Sequence, residues 1–430
     1  MKAICNGRFI LPQEIREGQA LVFDERIRGF CSPDRIPPEA ERIDVQGAYV
    51  SPGFLNLHIH GCGGRDAMDG SREALETMSR LLPATGVTGW LPTTMTSSET
   101  AISQALSAIR EARGRVPGAE ILGANLEGPF ISEKYKGAQK ACHIRKACWE
   151  LVEPFAGLIR ILTLAPETLE DMDFISRCRR AGIIVSLGHS DATWEEAARA
   201  VAAGASHITH LYNAMSPLHH RKPGLVGAAL TLPVTCELIA DGIHIHPAAL
   251  ALAIQAKGLD RVELITDSMR ACLLGEGKSE LGGQTVYVKD GRATLEDGTL
   301  AGSILTMDRA VRNIRSWAHL TLPQAVQLAT VNPARELGLT DRGTLEPGKR
   351  ADITVFDEDF RILGTYVKGS AVYTTDQLRP IKKVPSGTFF IGSLYTATLM
   401  ASSPSSSRTS SQITVRAFLK PLKVVAEADV

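Results

Sequence analysis

The chain has 430 residues, 44% hydrophobic and 22% charged, and its 47 basic and 47 acidic side chains cancel to a formal charge of zero. That is ordinary globular composition, long enough for one large unit and a smaller one, with no bulk electrostatic pull toward nucleic acid or a membrane surface. The eight cysteines are scattered without a CxxC pair, so neither a disulfide framework nor a paired-thiolate site is expected.

The start, "MKAICNGRFILPQEIREGQ", shows no uninterrupted apolar core and no cleavage pattern, and no run of about 18 apolar residues follows. A cytoplasmic protein is the default expectation. Residues 1–51 alternate short β-rich runs with turns ("AICNGRFI", "ALVFDERIRGF", "RIDVQGAYV"), and residues 344–380 have the same character. Each segment is too short to bury a core alone, so the two ends are expected to pair into one small β-sandwich. Residues 52–343 read differently. Eight apolar runs, from "YVSPGFLNLHI" and "VTGWLPTT" through "ILGANLEG", "IRILTLAPE", "GIIVSLGHS", "HITHLYNA" and "TCELIADGIH" to "VELITDS", alternate with stretches of helical period. The pattern predicts an α/β fold, a TIM-like (β/α)8 barrel, with a doubly wound open sheet as the alternative. Residues 381–430 are serine-rich with six basic and two acidic residues; they read as an atypical, disordered tail. The stretch "FFIGSLYTATLMA" within it is too short to span a bilayer.

Chemistry in such a barrel gathers at the C-terminal ends of the strands. In "NLHIHG" the imidazoles of His58 and His60, two residues apart on a strand, share one face beside a glycine turn. The later strand ends carry Thr93 and Thr94, Glu127, Glu167, His189, His210, Asp241 with His244, and Asp267, and ten of the eleven histidines fall between residues 58 and 246. Singly, each has a structural explanation: Glu127 could cap a turn, and Asp267 could cap a helix. Jointly, several ionisable groups converging on one barrel mouth each need a partner, and a divalent cation serves them all. A nitrogen and carboxylate donor set suits Zn²⁺ and also admits Fe²⁺, Mn²⁺ or Co²⁺. Cys62, a single thiol nearby, is treated as incidental.

HxH after the first strand, His after the fifth and sixth, and Asp after the eighth is the layout of the amidohydrolase superfamily. Within it, "PGFLNLHIHGCGG", "NLEGPFISEKYKGAQ", "SLGHSDAT", "HITHLYNAMSPLHHRKPG", "IADGIHIHP", "LITDSM" and "GTLAGSILTMDRAV" resemble the N-acetylglucosamine-6-phosphate deacetylase family, collinearly to about residue 375. The fourth strand ends "TLAPE" and lacks the lysine that dihydroorotase-like branches carbamylate to bridge two metals; Glu127 is available instead.

The resemblance implies hydrolysis of the acetamide of N-acetylglucosamine 6-phosphate, with N-acetylgalactosamine 6-phosphate or a deaminase substrate as alternatives. It implies Glu127, His189 and His210 as the main metal ligands, with Glu127 bridging to a second ion near His58, His60 and Asp267. Asp267 is implied as general base. Gln139 stands where some one-metal members place a carbonyl-polarising histidine, which leaves its role open. Asn213, Ala214, Arg221 and His244 look like phosphate contacts, Arg221 reaching a neighbouring subunit of a homodimer. Ala138, Gln139 and the segment Leu300, Ala301, Gly302 and Ser303 are expected to meet the sugar. By elimination His143, His207, His219, His220 and His246 are assigned no catalytic role, and neither nucleic acid nor membrane is an expected partner.

Overall fold

The eight apolar runs become eight parallel strands in the computed structural model, which describes residues 1–378; the segment read as a tail lies outside the described residues. In chain order they are β1 (Phe54–Ile59), β2 (Val87–Pro92), β3 (Ala124–Glu127), β4 (Ile159–Leu164), β5 (Ile184–Leu187), β6 (His207–Ile208), β7 (Thr235–Ile239) and β8 (Val262–Ile265). Every residue of β1, β2, β3 and β8 is buried, as expected for parallel strands covered on both faces. Strands β3 to β8 pair in sequence order, and β1 pairs with β2. The ring closes through two further contacts. Thr94 N–H donates to Asn125 O at 3.0 Å between β2 and β3, and Asp267 N–H donates to His58 O at 2.9 Å between the ends of β8 and β1.

Each strand is followed by a helix: α1 (Arg72–Leu81), α2 (Glu99–Ala112), α3 (Trp149–Val152), α4 (Asp173–Arg180), α5 (Trp194–Ala203), α6 (Gly224–Thr231), α7 (Pro247–Lys257) and α8 (Met307–Trp317). The sequence marks several starts. Ser71 and Ser98 accept from the N–H groups of Ala74 and Ala101, and Thr193 forms a reciprocal box with Glu196 at the head of α5. No helix among the described residues is long and apolar enough to cross a membrane.

The chain ends build two sheets. One runs in the order Ile27–Cys31, Ala20–Phe23, Lys2–Cys5, Glu41–Asp44; the other runs Ser370–Thr374, Ile362–Val367, Ile353–Phe356, Tyr49–Pro52, Arg8–Ile10, Ile15–Arg16. Their inner faces share one apolar cluster that includes Ile4, Phe9, Leu21, Phe23, Val50, Ile353 and Val355. The run "YVSPGFLNLHI" therefore splits in two. Tyr49–Pro52 pairs with Ile353–Phe356, and the chain turns at Gly53 into β1. A Cβ at Gly53 would overlap the Thr88 side chain, so only glycine fits between the sheet and the barrel.

A feature that the strand reading passed over lies between β8 and α8. Gly277–Leu281, Gln284–Lys289 and Arg292–Thr294 form an antiparallel three-stranded sheet. Its two turns each place consecutive residues in the left-handed region, Gly282–Gly283 and Asp290–Gly291, the geometry that tight hairpins require. Leu281, Val286, Val288 and Ala293 pack on Met95, Met269 and Ala301 above the barrel mouth.

The barrel and the end sheets are tied by charge as well as by packing. Glu120, which pairs with β2, accepts from Arg342 Nη1 at 2.9 Å and Arg350 Nη1 at 2.7 Å, and Asp352 accepts from Arg350 at 3.3 Å. Burial pushes the Glu120 carboxyl up, but the two guanidiniums outweigh it and hold it below the usual range. Glu120→Ala leaves two largely buried arginines under-compensated. Removing one partner of a fully buried pair costs about 3–5 kcal/mol. Glu120 is partly exposed, so a loss of about 2 kcal/mol is expected in denaturant unfolding, and an unchanged midpoint contradicts this assignment.

Candidate metal centre and active-site cavity

The ends of β1, β3, β5, β6 and β8 bring six of the sequence-selected side chains together. Glu127 is central. Its Oε1 lies 3.1 Å from His189 Nε2, 3.2 Å from His210 Nε2 and 3.5 Å from His58 Nε2, and its Oε2 lies 3.4 Å from His60 Nε2. Asp267 Oδ1 completes the other side, 3.2 Å from His60 Nε2 and 3.5 Å from His58 Nε2. Two compact groups result, His58 with His60 and Asp267, and Glu127 with His189 and His210, each with donor atoms within 4.8 Å of one another.

Local backbone geometry aims these groups. His189, His210 and Asp267 have φ of 47°, 27° and 48°, the left-handed region that non-glycine residues seldom enter. Such strain, roughly 1–3 kcal/mol per residue, persists where surrounding contacts over-determine it. Here they do. The Asp267 carbonyl accepts from Ser303 N–H at 2.8 Å, and the His210 N–H is bound by the Glu237 carboxylate at 2.9 Å. Gly61, directly after His60, is also constrained: a Cβ there would lie 2.7 Å from Arg270 N, in the turn that follows Asp267.

The hydrogen bonds fix each imidazole's tautomer. Nδ1 of His60, His189 and His210 faces the carbonyl oxygens of Thr93, Tyr135 and Asn213 at 3.1, 2.9 and 3.1 Å. Nδ1 of His58 faces Glu237 Oε2 at 2.9 Å. Carbonyl and carboxylate oxygens only accept, so Nδ1 carries the proton in all four, and the Nε2 atoms point at one another and at Glu127. His189 and His210 Nε2 approach to 3.1 Å. His58 Nε2 and Asp267 Oδ1, both buried, have no hydrogen-bond partner among the described residues. Four inward nitrogens, two carboxylates and these orphaned atoms fit a divalent cation of the zinc type.

The electrostatics agree. Burial disfavours charge throughout, yet the groups hold one another ionised. Glu127 is held well below the usual carboxylate range, chiefly by His189 and His58. Asp267 is held at about 2 by His58, His60 and His210. His60 is raised well above its ordinary value by Asp267 and Glu127, and His210 to about 9, chiefly by Glu127.

The donors open into a cavity of about 360 Å³. His60, Glu127, His189, His210 and Asp267 line it, as do Ala138, Gln139, Asn213, Ala214, His244, Leu300 and Gly302. His58 lies beneath and is fully buried. Three of the selected residues are elsewhere. Ala301 packs under the small antiparallel sheet, and Ser303 Oγ donates to Thr266 O below the cavity. Arg221 sits on an exposed turn with its guanidinium against His220, outside this chain's own cavity. The sequence reading missed Met95, Lys134, Tyr135, Gly137, Leu281 and Thr299, which also line the cavity. Lys134, Tyr135 and Gly137 lie inside the "SEKYKGAQ" stretch, and Leu281 sits beside the Gly-Gly turn that marks a hairpin.

The remaining strand-end residues brace the donors. Glu167 accepts from Ser190 Oγ and Asp191 N–H, next to His189. Asp241 accepts from His244 Nδ1 at 2.6 Å, leaving the other ring nitrogen for the cavity. Gln139 spans the site, its Nε2 donating to Glu127 Oε2 at 2.8 Å and its Oε1 accepting from Thr96 N–H at 2.7 Å.

Comparison with known proteins places the chain in a family. The model of the amidohydrolase family matches residues 49–372. A Bacillus subtilis (strain 168) protein named N-acetylglucosamine-6-phosphate deacetylase is 41% identical over 374 residues, spanning 84% of this chain and 94% of the relative. An Escherichia coli O157:H7 N-acetylgalactosamine-6-phosphate deacetylase is 37% identical over 378 residues, 86% of this chain and 99% of the relative. Among solved structures, the N-acetylglucosamine-6-phosphate deacetylase from Pasteurella multocida superposes with a TM-score of 0.83 at 33% identity, covering 86% of this chain and 99% of that one. A mutant of the Mycobacterium smegmatis enzyme in complex with N-acetyl-D-glucosamine-6-phosphate gives 0.81 at 30% identity, covering 87% and 99%. The chain belongs to the amidohydrolase family.

Proposed function

We propose that the protein hydrolyses the acetamide of N-acetylglucosamine 6-phosphate, giving glucosamine 6-phosphate and acetate, with one or two divalent ions held by His58, His60, Glu127, His189, His210 and Asp267. The observation that carries this reading is Glu127 standing between four inward imidazole nitrogens at the mouth of a sugar-sized cavity, in a chain whose relatives are named for that reaction. A bound divalent ion supplies Lewis acidity, drawing charge from the amide carbonyl and lowering the pKa of water.

The chain's own residues do the rest. Asp267, a low-pKa carboxylate at the cavity wall, takes the proton from the attacking water as the new C–O bond forms. It returns that proton to the amine nitrogen as the C–N bond breaks, because an amide nitrogen cannot leave as an anion. Gln139 is already committed at both ends and holds Glu127, so its part is to fix the central carboxylate. His244, oriented by Asp241, together with Asn213 and the backbone of Ala214, forms the phosphate side of the cavity. Arg221, exposed here, fits phosphate through its planar fork and would reach the cavity of a second subunit in a cytoplasmic homodimer. In this reading residues 52–343 are the catalytic barrel, and residues 1–51 with 344–380 are its small β-sandwich companion.

Acetate release from N-acetylglucosamine 6-phosphate, its galactosamine epimer and unphosphorylated N-acetylglucosamine tests the substrate. The first is expected to turn over fastest, with loss on chelation and recovery on adding zinc; preference for the epimer or for the free sugar contradicts the reading. Asp267→Asn is expected to lower kcat about 10²–10⁴-fold, the usual scale for a general base. Near-normal turnover in that variant would refute the assigned role.

The raised His60 and His210 give a further expectation. His210, pushed up to about 9, takes a proton at Nε2 at pH 7 when no cation is bound, and ligation expels it. Calorimetric zinc titration at pH 7, in two buffers of different ionisation enthalpy, should therefore show release of at least one proton. A binding enthalpy independent of buffer contradicts this.

A further inference from the structure

The six candidate ligands do not account for every ionisable group in the barrel. Glu237 on β7 and Glu263 on β8 are fully buried, and each keeps one carboxylate oxygen with no hydrogen-bond partner among the described residues. With His207 they form a third compact group of donor atoms. That group differs from the first two. Both His207 nitrogens are already engaged, by Ser186 Oγ and Glu263 Oε1 at 2.9 Å each, and none of the three residues lines the cavity. An ion would have neither a free imidazole nor an entry path there. What distinguishes Glu237 is its contact upward, toward the centre.

Glu237 Oε2 meets two groups at once. It accepts from His58 Nδ1–H at 2.9 Å and from the His210 backbone N–H at 2.9 Å. One residue comes from each half of the six-residue centre. The other three imidazoles are oriented by backbone carbonyls, which the fold supplies whatever the side chain; His58 alone depends on a side chain for its tautomer. The same Glu237 also accepts Leu211 N–H at its backbone oxygen, 3.0 Å away, so the left-handed turn at His210 is pinned on both sides.

We propose that Glu237 is a positioning residue that joins the two halves of the metal centre, one carboxylate oxygen fixing the His58 ring and the His210 turn in register. It touches neither substrate nor ion. It holds His58 Nδ1 protonated, so that Nε2 is free to ligate, and raises that nitrogen's basicity, an outer-shell effect on metal affinity that is typically about 10–100-fold. The inference rests on the reading of the six residues as ligands.

The test is zinc affinity of the full chain, measured by competition with a chromophoric chelator. Glu237→Gln is expected to weaken zinc binding at the His58, His60 and Asp267 group about 10–100-fold, with turnover recovered by added zinc. Glu263→Gln serves as comparison, since Glu263 lies in the same buried cluster but contacts neither His58 nor His210; it is expected to leave zinc affinity within about twofold. Equal affinity in wild type and Glu237→Gln, or equal losses in both variants, overturns the proposal. A wild-type chain that takes up no zinc overturns the ligand reading and the proposal with it. A second measurement does not require the variant to fold. In zinc-loaded wild-type protein labelled with ¹⁵N-histidine, the His58 ring, identified by its loss in His58→Gln, should carry its proton on Nδ1. A proton on Nε2 overturns the proposal.

Discussion

Two carboxylates and four imidazoles meet in a space from which solvent is nearly excluded, and the rest of the structure is organised around keeping them there. Glu127 contacts all four rings within 3.5 Å, and every ring turns its Nε2 inward. Buried ionisable groups are costly unless compensated. Proton sharing compensates part of the charge, as the raised His60 and His210 and the depressed Asp267 indicate, but it leaves lone pairs facing one another. A divalent cation satisfies both requirements. The strained backbone at His189, His210 and Asp267 has the same origin: side chains at the ends of β5, β6 and β8 must turn toward one point.

The architecture around that point separates rigidity from access. Closure of the ring between Thr94 and Asn125 and between Asp267 and His58 leaves no free edge at the mouth, so the donors from β1 and β8 are held in register. The end sheets pack their own apolar cluster and join the barrel through Glu120, Arg342, Arg350 and Asp352. The small antiparallel sheet places Leu281 against the cavity and donates from Gln284 to Ala138 O, so it closes one wall of the cavity. Much of the cavity lining therefore comes from loops and the clustered donor side chains from strand ends, the division of labour that lets barrels keep one centre while changing specificity.

Much of this was legible in the sequence because ligand chemistry is restricted to a few residue types and barrel chemistry to one end of each strand. His58, His60, Glu127, His189, His210 and Asp267 could be selected on those grounds and by family resemblance, and they do converge. The buried supports were harder. Glu237 in "TCELIA" and Glu263 in "RVELIT" sit inside otherwise apolar strands. A charge in such a strand is itself a signal, since a fully buried carboxylate needs a partner, but the partner's identity depends on which strands adjoin. The small antiparallel sheet announced itself only through "LGGQ" and "KDGR", two hairpin turns outside the barrel alternation. Ala301 is kept from the cavity by packing under that sheet, and Ser303 by the bond from its hydroxyl to Thr266 O. Arg221 lies on an exposed turn where, among the described residues, its guanidinium meets the His220 ring and no carboxylate.

The central claim is that Glu127 and its neighbouring imidazoles hold a cation. Anomalous diffraction at the zinc edge, from crystals of zinc-loaded full-length protein, addresses it directly. The account predicts a peak bounded by Glu127, His189 and His210, within bonding distance of all three, and at higher zinc a second bounded by His58, His60 and Asp267. Zinc located away from Glu127, or none bound at the barrel mouth, would contradict it.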